Sequence, residues 1–200
     1  LVTDQEAGGV AAFGELAGGR VPAGGDVLAG AGLRLGVGLK AAPEFRRDRV
    51  YPFIHKADEL VTLIRTVNHT HVGLALDTWN WQIGGGGNDT LADVKGKQIV
   101  SVTIADVPAD ADPAAIDVSQ RLLPTDETIP QHARLIAILA ERKCDGPVTL
   151  LPAARHAAGM SRDRAIEKCA SVLEKVWLQA GLSKPSRPVP APPVEQTVPA

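Results

Sequence analysis

Val72-Gly-Leu-Ala-Leu-Asp-Thr-Trp-Asn-Trp81 is the stretch on which the fold turns. Val72 to Leu76 is a short, near-continuous apolar run of strand length, and it ends on a carboxylate, Asp77. A strand apolar at successive positions has both faces covered, the usual condition of a parallel sheet. The pattern recurs on either side. Leu33-Arg-Leu-Gly-Val37 precedes it, Ile99-Val-Ser-Val-Thr-Ile104 follows and runs to Asp106, and Val148-Thr-Leu-Leu151 comes last. Helical spacing fills the intervals. Ala57, Leu60, Val61, Ile64 and Val67 recur on one helical face, and His132, Leu135, Ile138 and Leu139 mark a second helix. Ser161 caps a third, with Ile166, Cys169, Leu173, Val176 and Trp177 expected inward and Gly181 as its stop. Gly84 to Gly87 reads as a flexible loop, and Pro108, Pro113, Pro124 and Pro130 mark a long one. Strands alternating with helices predict an α/β fold with parallel pairing and right-handed crossovers.

The flanks differ in composition. Residues 1–32 hold nine glycines, too many for a long helix, since each interior Gly costs about 1 kcal/mol relative to Ala. The tail 183–200 carries six prolines and reads as extended, polyproline-like chain without a core. The organised domain is therefore residues 33–182. The chain begins at Leu1 rather than Met, so it reads as processed or as a fragment.

Composition excludes several classes. Of 200 residues, 44% are hydrophobic and 22% charged, which argues against wholesale disorder. A net charge of −2 gives no electrostatic case for nucleic acid or an anionic membrane surface. No stretch approaches the roughly 20 apolar residues of a membrane helix, and the N-terminus lacks the basic and apolar blocks of a signal peptide. Cys144 and Cys169 cannot make a disulfide framework, so they read as small buried hydrophobes in a reduced, cytoplasmic protein.

In parallel α/β folds the chemistry gathers at the C-terminal strand ends. This places Gly38 to Glu44, Asp77 to Trp81, Thr103 to Asp106 and the residues from Leu151 onward on one working face. His69 and His71 precede a strand and fall on the opposite face as a surface turn. His55 and His132 stand near helix starts and receive the same surface reading. Asp77 admits two roles, a site carboxylate or a cap for the turn that follows. Trp79 and Trp81 alternate along the strand end, so that one packs inward while the other offers a platform at the mouth.

Four of these blocks together resemble the sugar isomerase/epimerase family with the xylose-isomerase-like (β/α)8 barrel. Val72 to Trp81 is similar to the family's strand end "glxlDxxHw". Ile99-Val-Ser-Val-Thr-Ile-Ala-Asp-Val-Pro108 is similar to "ivxvHlaDxp" or "ivxvQlaDxp". Arg121-Leu-Leu-Pro124, followed by Asp126 and Ile129, is similar to "RxxPGxGxi", and Asp145-Gly-Pro-Val-Thr-Leu-Leu-Pro152 to "dGpvsxEp". The resemblance runs from about Gly32 to Leu182 and implies strands five to eight of a TIM-type barrel, that is, a half barrel. The first four strands are not recognisable in residues 1–32.

The resemblance implies a divalent metal (Mn²⁺, Mg²⁺ or Co²⁺) held at the barrel mouth by Glu, Asp, His or Gln, and Glu. The metal would polarise the substrate's oxygens while the two glutamates move a proton at the adjacent carbon. Carried over position by position, Asp77 matches the family's Asp. The first Glu falls on Gly38, the His or Gln on Thr103 and the last Glu on Leu151. The histidine that usually touches substrate is Asn80. Asn80, Trp81 and Arg121 are the implied substrate contacts, with a small sugar or sugar phosphate as ligand. One ligand of four survives, and no catalytic residue is assigned. The expectation is a sugar (phosphate) isomerase/epimerase-like protein of carbohydrate metabolism with a degenerate metal site, without activity as an isolated chain and with no tightly bound cofactor. A rearranged metal site would need Glu44, Asp106, Asp126, Glu127 or His156 from neighbouring loops. The alternative is a non-catalytic binding subunit, because a half barrel leaves open edges that a second copy or a partner half-barrel would cover. A further enzymatic reading rests on Asp77, Arg121 and Glu44 without the ancestral metal. A DNA-repair role is disfavoured, since the histidine-rich multi-metal set of the superfamily's repair enzymes is missing.

Overall fold

A computed structural model describes residues 34–45 and 54–182. The glycine-rich segment 1–32 and the proline-rich tail 183–200 lie outside the described residues, so their expected character is not addressed by it. Four strands, β1 (Leu35–Gly38), β2 (Val72–Asp77), β3 (Ile99–Ile104) and β4 (Val148–Leu150), form one sheet in sequence order. All three pairings are parallel. Among the described residues four α-helices accompany them: α1 (Ala57–Val67), α2 (Thr78–Ile83), α3 (Ile129–Glu141) and α4 (Arg162–Gln179).

Helix α1 starts where the Glu59 carboxylate accepts from the His55 and Lys56 backbone N–H groups, at 3.4 and 3.3 Å. It ends at Asn68, whose left-handed backbone (φ 39°) sends its N–H to the Ile64 carbonyl. The predicted face is the buried one: Ala57, Leu60, Val61 and Ile64 join Leu74 and Leu76 of β2 in the main core. Complete burial of a Leu or Ile is worth about 1.5–3 kcal/mol, so this face is enough to hold a short helix in place. Leu135, Ile136 and Leu139 of α3 and Val102 and Ile104 of β3 belong to the same cluster.

The two faces of the sheet are unlike. Val37, Leu74, Leu76, Val102, Ile104, Val148 and Leu150 belong to the helix-side core. The opposite face carries Gly36, Gly38, Gly73, Ala75, Val100, Ser101, Thr103 and Thr149. A Cβ built at Gly36 would meet Ala75 Cβ at 2.9 Å and Val100 Cβ at 3.6 Å, and one at Gly73 would collide with the Gln98 carbonyl. The near-continuous apolar runs are thus helix-side residues interleaved with small and hydroxyl-bearing ones. A closed barrel of this type is filled by bulky branched side chains, so this half supplies little of that filling.

Three local expectations change. Thr78 to Ile83 is helical, so Trp79 and Trp81 do not alternate across a strand. The cause is Asp77, whose side chain caps that helix and ends the strand. Helix α4 does not bury its whole predicted face: Val176 alone is buried, and Ile166 is 55% exposed. It packs on α3, but among the described residues β4 is an edge strand with no further neighbour to cover the rest. Gly84 to Gly87 forms a defined turn over Trp81 rather than a loose loop. Gly86 N–H donates to the Trp81 carbonyl at 2.8 Å, and Trp81 Nε1 donates to the Gly87 carbonyl at 3.2 Å. No helix among the described residues is long and apolar enough to cross a membrane.

Candidate functional site

The strand ends converge on Asp77. Both of its oxygens are engaged. Oδ1 accepts from the backbone N–H groups of Trp79 and Asn80 at 3.1 and 3.2 Å. Oδ2 accepts from Asn80 Nδ2 at 3.2 Å and from Arg121 Nη2 at 2.6 Å. The pair is well shielded, with side-chain exposures of 6% for Arg121 and 17% for Asp77. Asp77 thus caps the helix that follows, as one of its two readings expected, and the same carboxylate pairs with Arg121.

Arg121 reaches the site from the long loop after β3. Its backbone N–H donates to the Val118 carbonyl at 3.3 Å, and its carbonyl accepts from Ala153 N–H at 3.1 Å. Its guanidinium lies over the Trp79 ring, 4.8 Å from the centroid, a cation–π arrangement. Arg121 Nη1 and Trp79 Nε1 are buried without hydrogen-bond partners. Asn80 is fully buried and spans two elements, since its Oδ1 also accepts from Ala41 N–H at 3.0 Å. Trp81 sits in the main core, next to the glycine turn. Asp77, Asn80 and Arg121 therefore form one hydrogen-bonded unit, and Trp81 stands apart from it.

The remaining strand-end positions offer little to a cation. Gly38 pairs with Ala75 and has no side chain, although a Cβ there would find ordinary contacts of 3.6 and 3.9 Å. Thr103 lies opposite Asp77 in the register, and its hydroxyl is 3.5 Å from that of Thr149. Leu151 is 52% exposed. Neighbouring loops do not compensate. Glu44 accepts from Val118 N–H at 3.0 Å, Asp126 pairs with Lys175 at 2.7 Å, and Glu127 is exposed. Among the described residues no group of three or more His, Cys, Asp or Glu side chains comes together to hold an ion. The donor set does not fit the divalent metal of the resemblance, because Asp77 is the one carboxylate among the four matched positions and is already engaged by three N–H donors and a guanidinium.

A second polar cluster was not foreseen. Asp106 accepts from Thr128 Oγ1 on one oxygen and pairs with His132 Nε2 on the other. His132 is 3% exposed, so its expected surface role is corrected. The available signal was spacing: Thr128 and His132 are four apart at a helix start and share a face. His69 and His71 do stand in a turn before β2, with His71 N–H donating to His69 Nδ1. His156 follows β4, in the loop that Ala153 ties to Arg121. Burial pushes its imidazole below the usual histidine range, with the charges of Arg155 and Lys168 acting the same way, against an opposing hydrogen bond with the Arg121 backbone. Asp117 is held below the ordinary carboxylate range by hydrogen bonds from Ser119.

Comparison with known proteins agrees with this fold. The family model for the xylose isomerase-like TIM barrel matches residues 36–176. A xylose isomerase domain protein from Alicyclobacillus acidocaldarius subsp. acidocaldarius is 27% identical with a TM-score of 0.62, covering 77% of this chain and 54% of that one. An IolI protein with a bound zinc atom shares the fold at 17% identity and a TM-score of 0.58, over 78% of this chain and 52% of that one. A xylose isomerase domain-containing protein from Salmonella typhimurium LT2 does so at 18% identity and a TM-score of 0.55, over 75% and 54%. Among curated proteins none matches. The chain spans about half the length of these solved structures. With four parallel strands in barrel order and the family's pattern across them, this chain belongs to the xylose isomerase-like TIM barrel family.

Proposed function

We propose that this chain is a sugar (phosphate) isomerase/epimerase-like protein whose metal site is degenerate and which has no metal-dependent isomerase activity as an isolated chain. The observation that carries the reading is the state of Asp77. Its carboxylate is consumed by Trp79, Asn80 and Arg121, while Gly38, Thr103 and Leu151 bring no second carboxylate or imidazole. A structural neighbour, an IolI protein, holds a zinc atom, so on this reading the chain differs from that neighbour in lacking a metal. Without paired glutamates the mouth also lacks the acid and base that would move a proton beside a carbonyl. Asn80 and Arg121 remain as polar groups at the mouth for a sugar or sugar phosphate. Calorimetric titration with Mn²⁺ and Co²⁺, together with turnover assays on keto sugars and inososes, tests the reading. Neither stoichiometric binding at micromolar affinity nor metal-stimulated turnover is expected. Saturable binding lost in Asp77→Ala overturns it.

A second reading, a binding subunit that docks on a partner half-barrel, is favoured by the β4 edge. Leu151, directly after β4, is 52% exposed, Ile166 of α4 is 55% exposed, and among the described residues β4 has a single strand neighbour. An uncovered parallel edge and a half-covered helix are what a complementary half would bury.

A further inference from the structure

We propose that His156 is a ligand-binding residue of the barrel mouth, its Nε2 accepting a hydrogen bond from a hydroxyl of a sugar. The inference rests on the sugar-ligand reading and adds to it a residue outside the matched motifs, the last of which ends at Pro152. Placement comes first. His156 stands after β4, at the C-terminal strand ends, in a turn (Ala154–Ala157) where its own backbone N–H donates to the Ala153 carbonyl at 3.0 Å. That turn is fastened to the loop after β3, since Ala153 N–H donates to the Arg121 carbonyl at 3.1 Å. A ring N–H of His156 is directed to the same backbone. Nε2 is buried without a hydrogen-bond partner, so the N–H is Nδ1 and the neutral ring keeps its lone pair on Nε2. Burial and the charges of Arg155 and Lys168 disfavour the imidazolium, which leaves that lone pair free at neutral pH. The partner it lacks is therefore a donor. Among the described residues two further buried side-chain atoms are unpartnered, Arg121 Nη1 and Trp79 Nε1, and both are donors in want of an acceptor. The guanidinium lies on the Trp79 ring and His156 is tied to the Arg121 backbone, so all three atoms belong to segments in contact. A cation would satisfy the acceptor alone, and an anion the donors alone. A hydroxyl both donates and accepts, and a sugar carries several, so one ligand class answers both deficits. An unpaired buried acceptor costs free energy, which a ligand hydroxyl recovers.

The test reads the imidazole itself, in long-range proton–nitrogen NMR spectra of the full chain at neutral pH. Without ligand, Nδ1 should be protonated and Nε2 bare, and a protonated Nε2 overturns the inference. Keto sugars and inososes are then titrated in. A sugar that binds should move the Nε2 resonance, and His156→Phe should weaken its binding by about tenfold. His156→Gln, which places an amide oxygen near the Nε2 position, should recover part of that loss. A merely structural role would leave Nε2 unmoved and make the two variants lose alike. Where His156→Phe does not fold, the wild-type resonance decides: a shift on saturation supports the inference, and no shift overturns it. A sugar that binds without moving Nε2, or that binds both variants as tightly as the parent, overturns the inference and leaves the sugar-ligand reading standing. Failure of every sugar tested to bind overturns that reading, and the inference with it.

Discussion

His156 shows how one side chain reports its setting. Its imidazole titrates below the ordinary value of 6.5, chiefly because burial disfavours the charged form. The unfolded chain therefore takes up the proton first as pH falls. The stability tied to neutral His156 is complete above about pH 6.5 and is lost as pH drops below it. NMR titration should give a midpoint for His156 below that of a model imidazole. His156→Gln should flatten the fall in stability below about pH 6.5, and an unchanged slope would show that the acid sensitivity arises elsewhere. Asp77 teaches the complementary lesson. A carboxylate at the end of an apolar run marks a strand end in any parallel α/β protein, and that much is legible from its neighbours in the chain. Its partner Arg121 is 44 residues away, so the ion pair is a product of folding.

Among the elements, the most legible were those whose apolar periodicity runs unbroken along their length. The expected ranges of α1 and β3 coincide with Ala57–Val67 and Ile99–Ile104. The tryptophan segment was not legible in this way. Thr-Trp-Asn-Trp-Gln-Ile has bulky residues at alternate positions and reads as strand, but the Asp77 cap turns it into helix. Strand β2 also carries a packing constraint that periodicity cannot reveal. Gly73 lies where any Cβ would run into the Gln98 carbonyl, whereas Gly87 has nothing within 4 Å of that position. Gly73→Ala should cost about 1–3 kcal/mol or prevent folding, and Gly87→Ala should change stability by less than about 0.5 kcal/mol. Thermal midpoints of the two variants provide the comparison, and equal midpoints would refute the close approach.

At the scale of the whole molecule, among the described residues β1 and β4 each pair with one strand, and one face of the sheet carries mostly small residues. Two copies closing a ring would set glycine, alanine, serine and threonine against the same residues, leaving the centre underfilled. A complementary half with large inward side chains would fill it. Sedimentation or light scattering of the chain alone should therefore show no tight dimer built through the sheet face. If the chain docks through the β4 edge, Leu151→Lys should weaken association with a complementary half-barrel fragment, such as one cut from a relative, at least tenfold while leaving the chain's own unfolding midpoint in place. A Leu151→Lys variant that associates as tightly as the parent would remove the β4 edge from the interface.

Local pattern by itself determined the alternation of strands and helices, the parallel pairing and the strand-end location of the polar residues. These depend on the period and length of apolar runs, which neighbouring residues carry. Only the tertiary structure decided that Asp77 is spent on Arg121 and Asn80, that His132 is buried against Asp106, and that helix α4 stays half uncovered. Each of these depends on which distant segment a side chain meets, and burial and pairing across the fold are written in no single stretch of sequence.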